Sequence, residues 1–134
     1  MRVAAVVGLA CALGLAPTAR ADETVQDFVS RYELALDRGD TELLRGVYED
    51  WSVDKELRLR AYFAETVREF NVELTDLEIV AADDEQARIR FVRRDRFTDA
   101  LSGQRIEREL SLDRTLHRFG GLWRLAPVST SASR

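Results

Sequence analysis

The order of the hydrophobic patterns along this chain constrains its fold more than any other feature. Apolar residues recur at the three- and four-residue spacing of helices as far as Phe70, and from Asn71 onward they alternate with polar residues as strands do. A chain whose helices precede its strands is expected to fold as an α+β domain, with the helices packed on one face of an antiparallel sheet. Gly120 and Gly121 fit a two-residue turn, which predicts that the last two strands form a hairpin.

The first two predicted helices have recognisable ends. The first spans residues 25–38, because Thr24 is a suitable N-cap and Gly39 is suited to end a helix. Asp40 can cap a second, shorter helix that ends before Trp51. Both helices are amphipathic, so each is expected to bury one side against the rest of the domain.

The third predicted helix carries a wide aromatic stripe. It begins at Ser52 or Asp54, and its apolar side extends over several turns. The residues of this stripe are Leu59, Tyr62, Phe63, Thr66, Val67 and Phe70. A wide stripe suits a helix that lies across a sheet. The strand pattern that follows changes phase near Asp76, which predicts a β-bulge in the first strand.

The remaining strands are predicted to form a long antiparallel meander. They cover residues 86–97 and 104–119, with a short fourth strand after the glycine turn. Pairing Phe97 with Gln104 brings apolar residues together on one face of the sheet and opposite charges together on the other face. The resulting cross-strand pairs are Phe91 with Leu110, Ile89 with Leu112, Arg94 with Glu107 and Arg88 with Asp113.

The inner face of this predicted sheet is apolar. Its residues are Ala87, Ile89, Phe91, Leu110, Leu112, Leu116, Trp123 and Leu125. None of these side chains is acidic, and proton-transfer catalysis needs an acid or a base inside a sequestered pocket. The inner face of the predicted sheet therefore offers no general base.

Residues 1–21 are predicted to be a secretory signal peptide. Arg2 precedes an apolar stretch at residues 3–15, which is too short to serve as a comfortable membrane anchor. Small residues suit cleavage between Ala21 and Asp22. The mature protein is therefore expected to be periplasmic or secreted, without membrane association after cleavage.

The predicted domain comprises residues 22–128, and the small polar residues 129–134 predict a disordered tail. Cys11 is the only cysteine of the chain and lies in the predicted leader, so no disulfide is expected. The segment that ends at Cys11 also resembles a lipoprotein box, which makes lipidation at this residue the alternative to simple cleavage.

Composition excludes several classes of function. The formal net charge is −4, which argues against nucleic acid and anionic lipid as partners. His117 is the only histidine, so a zinc or copper site built from nitrogen and sulfur ligands is not expected. The sequence also lacks a glycine-rich phosphate loop and a nucleophile elbow, and no cofactor is predicted.

Three segments carry a resemblance to a known family. They are the helix-to-strand segment 70–74, the strand and loop 94–103, and the closing hairpin 118–125. With these segments the chain resembles the nuclear transport factor 2-like (NTF2-like) superfamily, in its SnoaL-like and DUF4440-like group, over residues 24–127. The resemblance implies a cystatin-like cone of about three N-terminal helices on a strongly curved four-stranded antiparallel sheet. It also implies a pocket at one end and homodimers that pack sheet to sheet.

Six residues are candidates for ligand binding in this cone: Tyr32, Tyr62, Arg93, Arg108, Arg114 and Trp123. The three arginines share the alternation of the buried residues, and a buried arginine needs an anion or a hydrogen-bonding partner. They predict either a pocket for an anionic ligand or strand ends at which long side chains reach water. Tyr32 either donates a proton to a ligand or belongs to the core.

Two functions from different classes remain open. The preferred hypothesis is a non-catalytic exported domain that binds a small apolar or anionic ligand, or a protein partner, through its pocket or outer sheet face. The rival is a cofactor-independent lyase, isomerase or hydrolase, which are activities found in the family. Arg93 and Asp95 resemble the Arg-x-Asp of its epoxide hydrolases, with Asp113 as a second acid, although the predicted register turns Asp113 outward toward Arg88.

Overall fold

The computed structural model describes residues 22–128, so the predicted signal peptide and the predicted tail lie outside the described residues. The helical elements are α1 (Val25–Arg38), α2 (Thr41–Arg45), α3 (Val53–Ala61) and a π-helical turn (Tyr62–Thr66). The strands are β1 (Val67–Ala82), β2 (Gln86–Asp99), β3 (Arg105–Phe119) and β4 (Leu122–Leu125). Within this part of the chain, no helix is long and apolar enough to cross a membrane.

The predicted ends of α1 and the predicted cap of α2 are confirmed. The Thr24 hydroxyl accepts a hydrogen bond from the Asp27 N–H at 3.0 Å, and Gly39 ends the helix at a φ of 59°. The carboxylate of Asp40 accepts the N–H groups of Glu42 and Leu43 at the start of α2. These caps satisfy backbone groups that the helices leave unpaired.

The predicted extent of the third helix is wrong. Helix α3 ends at Ala61, and Val67 and Phe70 belong to strand β1 rather than to a helical stripe. The β-branched Val67 pairs with Asp99 of β2, so sheet formation outweighs the helical spacing. Glu69 has a φ of 52° and forms a bulge, which puts Val67 and Phe70 three residues apart on the inner side and so imitates helical spacing.

The four strands form one antiparallel sheet in the order β1-β2-β3-β4. The predicted bulge in β1 is confirmed, because Asp76 has a φ of 56° and the register shifts there. The predicted turn at Gly120 and Gly121 is also confirmed, since Leu116 pairs with Leu125 across it. The helices cover one side of this curved sheet, so the domain is the predicted α+β cone.

The predicted register between β2 and β3 is wrong by two residues. Phe97 pairs with Ile106 rather than Gln104, because β2 continues to Asp99 and a tighter turn closes the hairpin. The Asp99 N–H donates to the Gln104 carbonyl at 2.8 Å across this turn. A slip of two residues keeps every side chain on its predicted face but changes its partner on the neighbouring strand. The observed pairs are Phe91 with Leu112, Ile89 with Arg114, Arg94 with Glu109 and Arg88 with Thr115.

The core fills one end of the cone, which we call the closed end. It contains residues of α1, α2 and the sheet that are almost completely buried: Phe28, Leu44, Ile89, Leu116 and Trp123. At the opposite, open end the inner face of β3 is only partly covered, and Leu110, which was predicted to point inward, is 39% exposed. The cone is therefore packed at one end and accessible at the other.

Candidate functional site

A cavity of about 360 Å³ lies at the open end of the cone. Helix α3 and the π-helical turn form one wall, and the inner faces of β2 and β3 form the other. The lining residues are Tyr48, Lys55, Arg58, Leu59, Tyr62, Arg93 and Arg108. Four of these seven are cations and none is acidic, so the cavity suits an anion with an apolar body.

Beneath the cavity lies an arginine–aspartate triad, formed by Arg93, Asp95 and Arg108. The Asp95 residue is 0% exposed and is the one buried charged residue within residues 22–128. Its Oδ1 accepts the Nε–H of Arg93 at 2.8 Å, and its Oδ2 accepts an Nη2–H of Arg108 at 3.0 Å. A buried carboxylate is tolerated when charged donors of this kind satisfy both of its oxygens.

The prediction of an inner face without an acid is therefore wrong. Strand β2 runs on to Asp99, beyond its predicted end at residue 97, and Phe97 is 6% exposed, so Asp95 lies within the buried part of the strand. The side chain of Asp95 points inward for the same reason as those of Ile89 and Phe91, because strand residues alternate between faces. Its place in that alternation was the signal that the sequence offered.

The two arginines of the triad keep donor groups that Asp95 does not use. In the part of the chain that the structure describes, Arg93 makes a hydrogen bond only through Nε. Arg108 donates only through Nη2, to Asp95 and at 3.3 Å to the Tyr62 hydroxyl. Burial acts to lower the pKa of Arg93, but the hydrogen bond to Asp95 and nearby phenols raise it overall, so this guanidinium stays charged. The remaining nitrogens can bind an oxyanion.

The opposite wall of the cavity is cationic and aromatic. The Lys55 ammonium lies 4.3 Å from the centre of the Tyr48 ring and 3.3 Å from an Asp50 carboxylate oxygen. Arg58 is paired with Asp54 along the same helix at 3.1 Å. No residue of α3 is fully buried, and Leu59 is its one residue that packs against the core, so this helix serves chiefly as a wall of the cavity.

Tyr48 contributes a half-buried phenol to the lining of the cavity. Burial raises the pKa of Tyr48 far above its ordinary value, and the neighbouring Tyr32 phenol raises it further. The positive charges of Arg93 and Arg114 act in the opposite direction but do not outweigh these effects. Tyr48 therefore remains protonated at neutral pH.

The structure brings together three of the six predicted ligand-binding residues, since Tyr62, Arg93 and Arg108 line the same cavity. Tyr32 and Trp123 are each 2% exposed and belong to the core, and Arg114 is half-buried outside the lining. Sequence reasoning missed four lining residues: Tyr48, Lys55, Arg58 and Leu59. The spacing of Lys55 and Leu59, one helical turn apart on α3, was the available signal.

Other candidate groups lie outside this cavity. Asp113 points outward and accepts hydrogen bonds from Arg88 and Arg90, so it is not a second acid beside Asp95. His117 lies at the surface, with its Nδ1 2.8 Å from a Glu49 carboxylate oxygen. Among residues 22–128, no group of three histidine, cysteine or acidic side chains is placed to hold a metal ion.

Solved structures share this architecture. An NTF2-like superfamily protein from Salmonella enterica serovar Typhimurium is 15% identical, with a TM-score of 0.66 over 79% of this chain and 90% of that chain. A hexachlorocyclohexane dehydrochlorinase (LinA) of type 2 is 13% identical, with a TM-score of 0.64 over 75% of this chain and 77% of that chain. A putative scytalone dehydratase from Novosphingobium aromaticivorans is 16% identical, with a TM-score of 0.59 over 75% and 76%.

These likenesses identify the fold, because all three identities are too low to carry an activity across. The chain has the fold of the NTF2-like superfamily, as the sequence resemblance implied. No protein-family model matches the chain, and no curated protein matches its sequence. The narrower SnoaL-like and DUF4440-like grouping stays a prediction.

Proposed function

We propose that this protein is an exported, non-catalytic domain that binds a small anionic ligand in the cavity between α3 and the sheet. One observation carries the proposal: Arg93 and Arg108 are held by the buried Asp95 and still present unused donors to the cavity. Fixing two guanidinium groups in advance lowers the entropy lost when an anion binds. A purely structural ion pair would not need an open cavity beside it.

Export to the periplasm or the medium is the second part of the proposal. It is supported by the signal-peptide pattern of residues 1–21. When the full chain is expressed in a bacterium, mass spectrometry of the secreted or periplasmic product is expected to find Asp22 at the N-terminus. A product that retains residues 1–21, or that carries a lipid on Cys11, would contradict this part of the proposal.

The outer sheet face is proposed to pair with a second copy of the chain and not with nucleic acid. Its arginines are already matched with acids, as Arg88 is with Asp113 and Arg94 is with Glu109. Such alternating charges can be exchanged between two copies, whereas a polyanion would find few free cations. Analytical ultracentrifugation that finds only monomer at high protein concentration would contradict the homodimer.

A cofactor-independent lyase, isomerase or hydrolase is the second candidate function. The observation that favours it is the acid inside the hollow, with Arg93 two residues before Asp95 as in the Arg-x-Asp pattern. Both oxygens of Asp95 accept hydrogen bonds from arginines, and Asp95 does not line the cavity. A general base must reach the proton that it abstracts, so the geometry favours binding over catalysis.

Thermal unfolding of the purified secreted protein tests the binding proposal. Small anions are expected to raise Tm progressively as their concentration exceeds Kd, because they bind only the folded state. The Arg108→Gln variant is expected to lose this stabilisation. Arg88→Gln, which removes the same charge from the outer face, is expected to keep it. A panel of anions without effect on Tm would contradict the proposal, and turnover that depends on Asp95 would establish the enzyme instead.

A further inference from the structure

We infer that the ligand is an aromatic monocarboxylate, an inference that rests on the proposed anion-binding function. Its carboxylate would lie on the free nitrogens of Arg93 and Arg108, and its ring would lie against Tyr48, Leu59 and Tyr62. Three properties of the cavity carry this assignment: its net charge, the shape of its donors and the character of its apolar lining.

The net charge of the site matches a ligand that carries a single negative charge. In the triad, Asp95 neutralises one of the two guanidinium groups and leaves one positive charge. The other two cations of the lining, Lys55 and Arg58, add no net charge, because each has a carboxylate partner within 4 Å: Asp50 and Asp54 respectively. Arg114 lies outside the lining and is not counted. A monoanion therefore brings the site to neutrality, whereas a dianion would leave one uncompensated negative charge beside a partly buried site.

The donors of the site fit a planar acceptor. A guanidinium presents parallel N–H groups in one plane, which matches the two oxygens of a carboxylate. Arg93 is anchored through Nε, and its side chain is only 17% exposed, so the direction of its Nη groups is fixed. Arg108 is anchored through Nη2 to Asp95 and Tyr62, which leaves Nε and Nη1 without partners among the described residues.

The rest of the lining fits a flat apolar body. Two phenol rings and one leucine side chain line the cavity beside the arginines. Its volume of about 360 Å³ is near the lower end of the range for small-molecule pockets, roughly 300–1,000 Å³. This size suits a ligand of one or two rings, and stacking against tyrosine rings favours an aromatic ring over a flexible chain.

In this arrangement Asp95 is a positioning residue that also fixes the charge count of the site. Replacing it with asparagine would keep the shape of the side chain but would raise the net charge of the triad from one positive charge to two. The preference of the site is then expected to move from a monoanion to a dianion. A residue with a merely structural role would not change the order of ligand affinities.

The experiment is titration calorimetry with the purified secreted protein and three ligands that share one ring. Benzoate carries one charge, benzamide is its neutral counterpart, and phenylphosphonate carries two charges at mildly alkaline pH. We expect benzoate to bind at least about tenfold more tightly than either of the others. The Asp95→Asn variant is expected to favour phenylphosphonate over benzoate. Arg108→Gln is expected to lose benzoate binding, and Arg88→Gln is expected to bind as the wild type does.

The outcomes separate this inference from the proposed function. Tighter binding of phenylphosphonate than of benzoate by the wild type would overturn the monocarboxylate and leave an anion site in place. Binding of benzamide alone would overturn both. If a folded Asp95→Asn variant lost affinity for all three ligands equally, the role of Asp95 in setting the charge of the site would be overturned. If that variant does not fold, unchanged benzoate binding by Arg108→Gln, whose side chain is 45% exposed and whose fold is expected to survive, would overturn the assignment.

Discussion

The two halves of the inner face of β2 differ although they belong to one strand. Ala87, Ile89 and Phe91 are buried together with residues of α1, whereas Arg93 and Asp95, farther along the same face, lie beside the cavity. The first half is covered by a helix that buries five of its residues, and the second is covered by α3, which buries none. What covers a strand, and not the strand itself, decides whether its inward positions form a core or a site.

The largest effect is expected at the packed half. Ile89 is 0% exposed, so Ile89→Ala removes buried methyl groups and leaves a cavity, which should lower the free energy of unfolding by about 3 kcal/mol. Ligand affinity of the folded variant should not change, because Ile89 does not line the cavity. Urea unfolding and calorimetry measure the two quantities.

A matched apolar substitution at the surface is the control for Ile89. Leu101 lies in the turn between β2 and β3 and is 97% exposed, so Leu101→Ala should change stability by no more than about 0.5 kcal/mol. If Ile89→Ala cost as little as Leu101→Ala, the closed end would not be packed as described. If it weakened benzoate binding without unfolding the protein, the two halves of β2 would not be independent.

The next largest effect is expected at Asp95, in the polar half of the inner face of β2. Asp95→Asn keeps the size of the side chain but removes the charge that two guanidinium groups share, which should lower the free energy of unfolding by about 2 kcal/mol. Urea unfolding at neutral pH measures this change. Unlike Ile89→Ala, the variant should also change ligand selectivity. An unchanged stability would mean that water, and not Asp95, satisfies Arg93.

The closed end could be predicted from the sequence because local rules agree there. Thr24 and Gly39 mark both ends of α1, and Gly120 with Gly121 fixes the last hairpin, since each depends only on neighbouring residues. The face of each β-residue was also predictable, because a register error of two residues leaves it unchanged.

The open end could not be predicted to the same extent, because its structure depends on distant partners. The boundary at Val67 follows from pairing with Asp99, which no local pattern shows. Asp95 and Arg108 are brought together only by the pairing of β2 with β3, in which they are direct neighbours. The alternation of β2 placed Asp95 inward, but a charged residue at that position is recognisable as buried only when both arginines are known to meet it.

A smaller effect is expected at Glu23, a half-buried carboxylate that does not line the cavity. Glu23 accepts hydrogen bonds from Arg31 and from the Trp123 N–H, and its side chain is 8% exposed. Burial, the largest influence, acts to raise the pKa of Glu23, but these hydrogen bonds and the charges of Arg31 and Arg118 lower it below its ordinary value of 4.5. Glu23→Gln should therefore destabilise the protein by about 1.5 kcal/mol at neutral pH, without any effect on ligand binding.

The stability difference between wild type and Glu23→Gln depends on pH because the pKa of Glu23 is lowered in the folded protein. A carboxylate with a lowered folded pKa contributes stability that is complete above its unfolded pKa and is lost as the pH falls through the folded pKa. The stability difference between wild type and Glu23→Gln should thus be constant near neutrality and shrink below about pH 4.5. Urea unfolding of both proteins across this range checks the prediction. A difference that grew in acid would contradict it.

The smallest effect is expected for Arg88 and Asp113, an arginine–aspartate pair like Arg93 and Asp95 but on the outer face of the sheet. Arg88 donates to Asp113 through Nε at 3.0 Å and through Nη2 at 2.9 Å, and this bond is the main cause that lowers the pKa of Asp113. The geometry is as good as that of Arg93 and Asp95, but the Arg88 and Asp113 side chains are 51% and 42% exposed.

Water solvates the remaining ion when either member of this exposed pair is removed, and salt screens the attraction between the two ions. Arg88→Gln should therefore lower the urea midpoint by less than Asp95→Asn does, and the remaining difference from wild type should disappear at high salt. Both measurements are made at protein concentrations below those at which the proposed dimer forms, because a dimer through the sheet would cover this pair. In the monomer, a loss as large as that of Asp95→Asn, and insensitive to salt, would contradict the prediction.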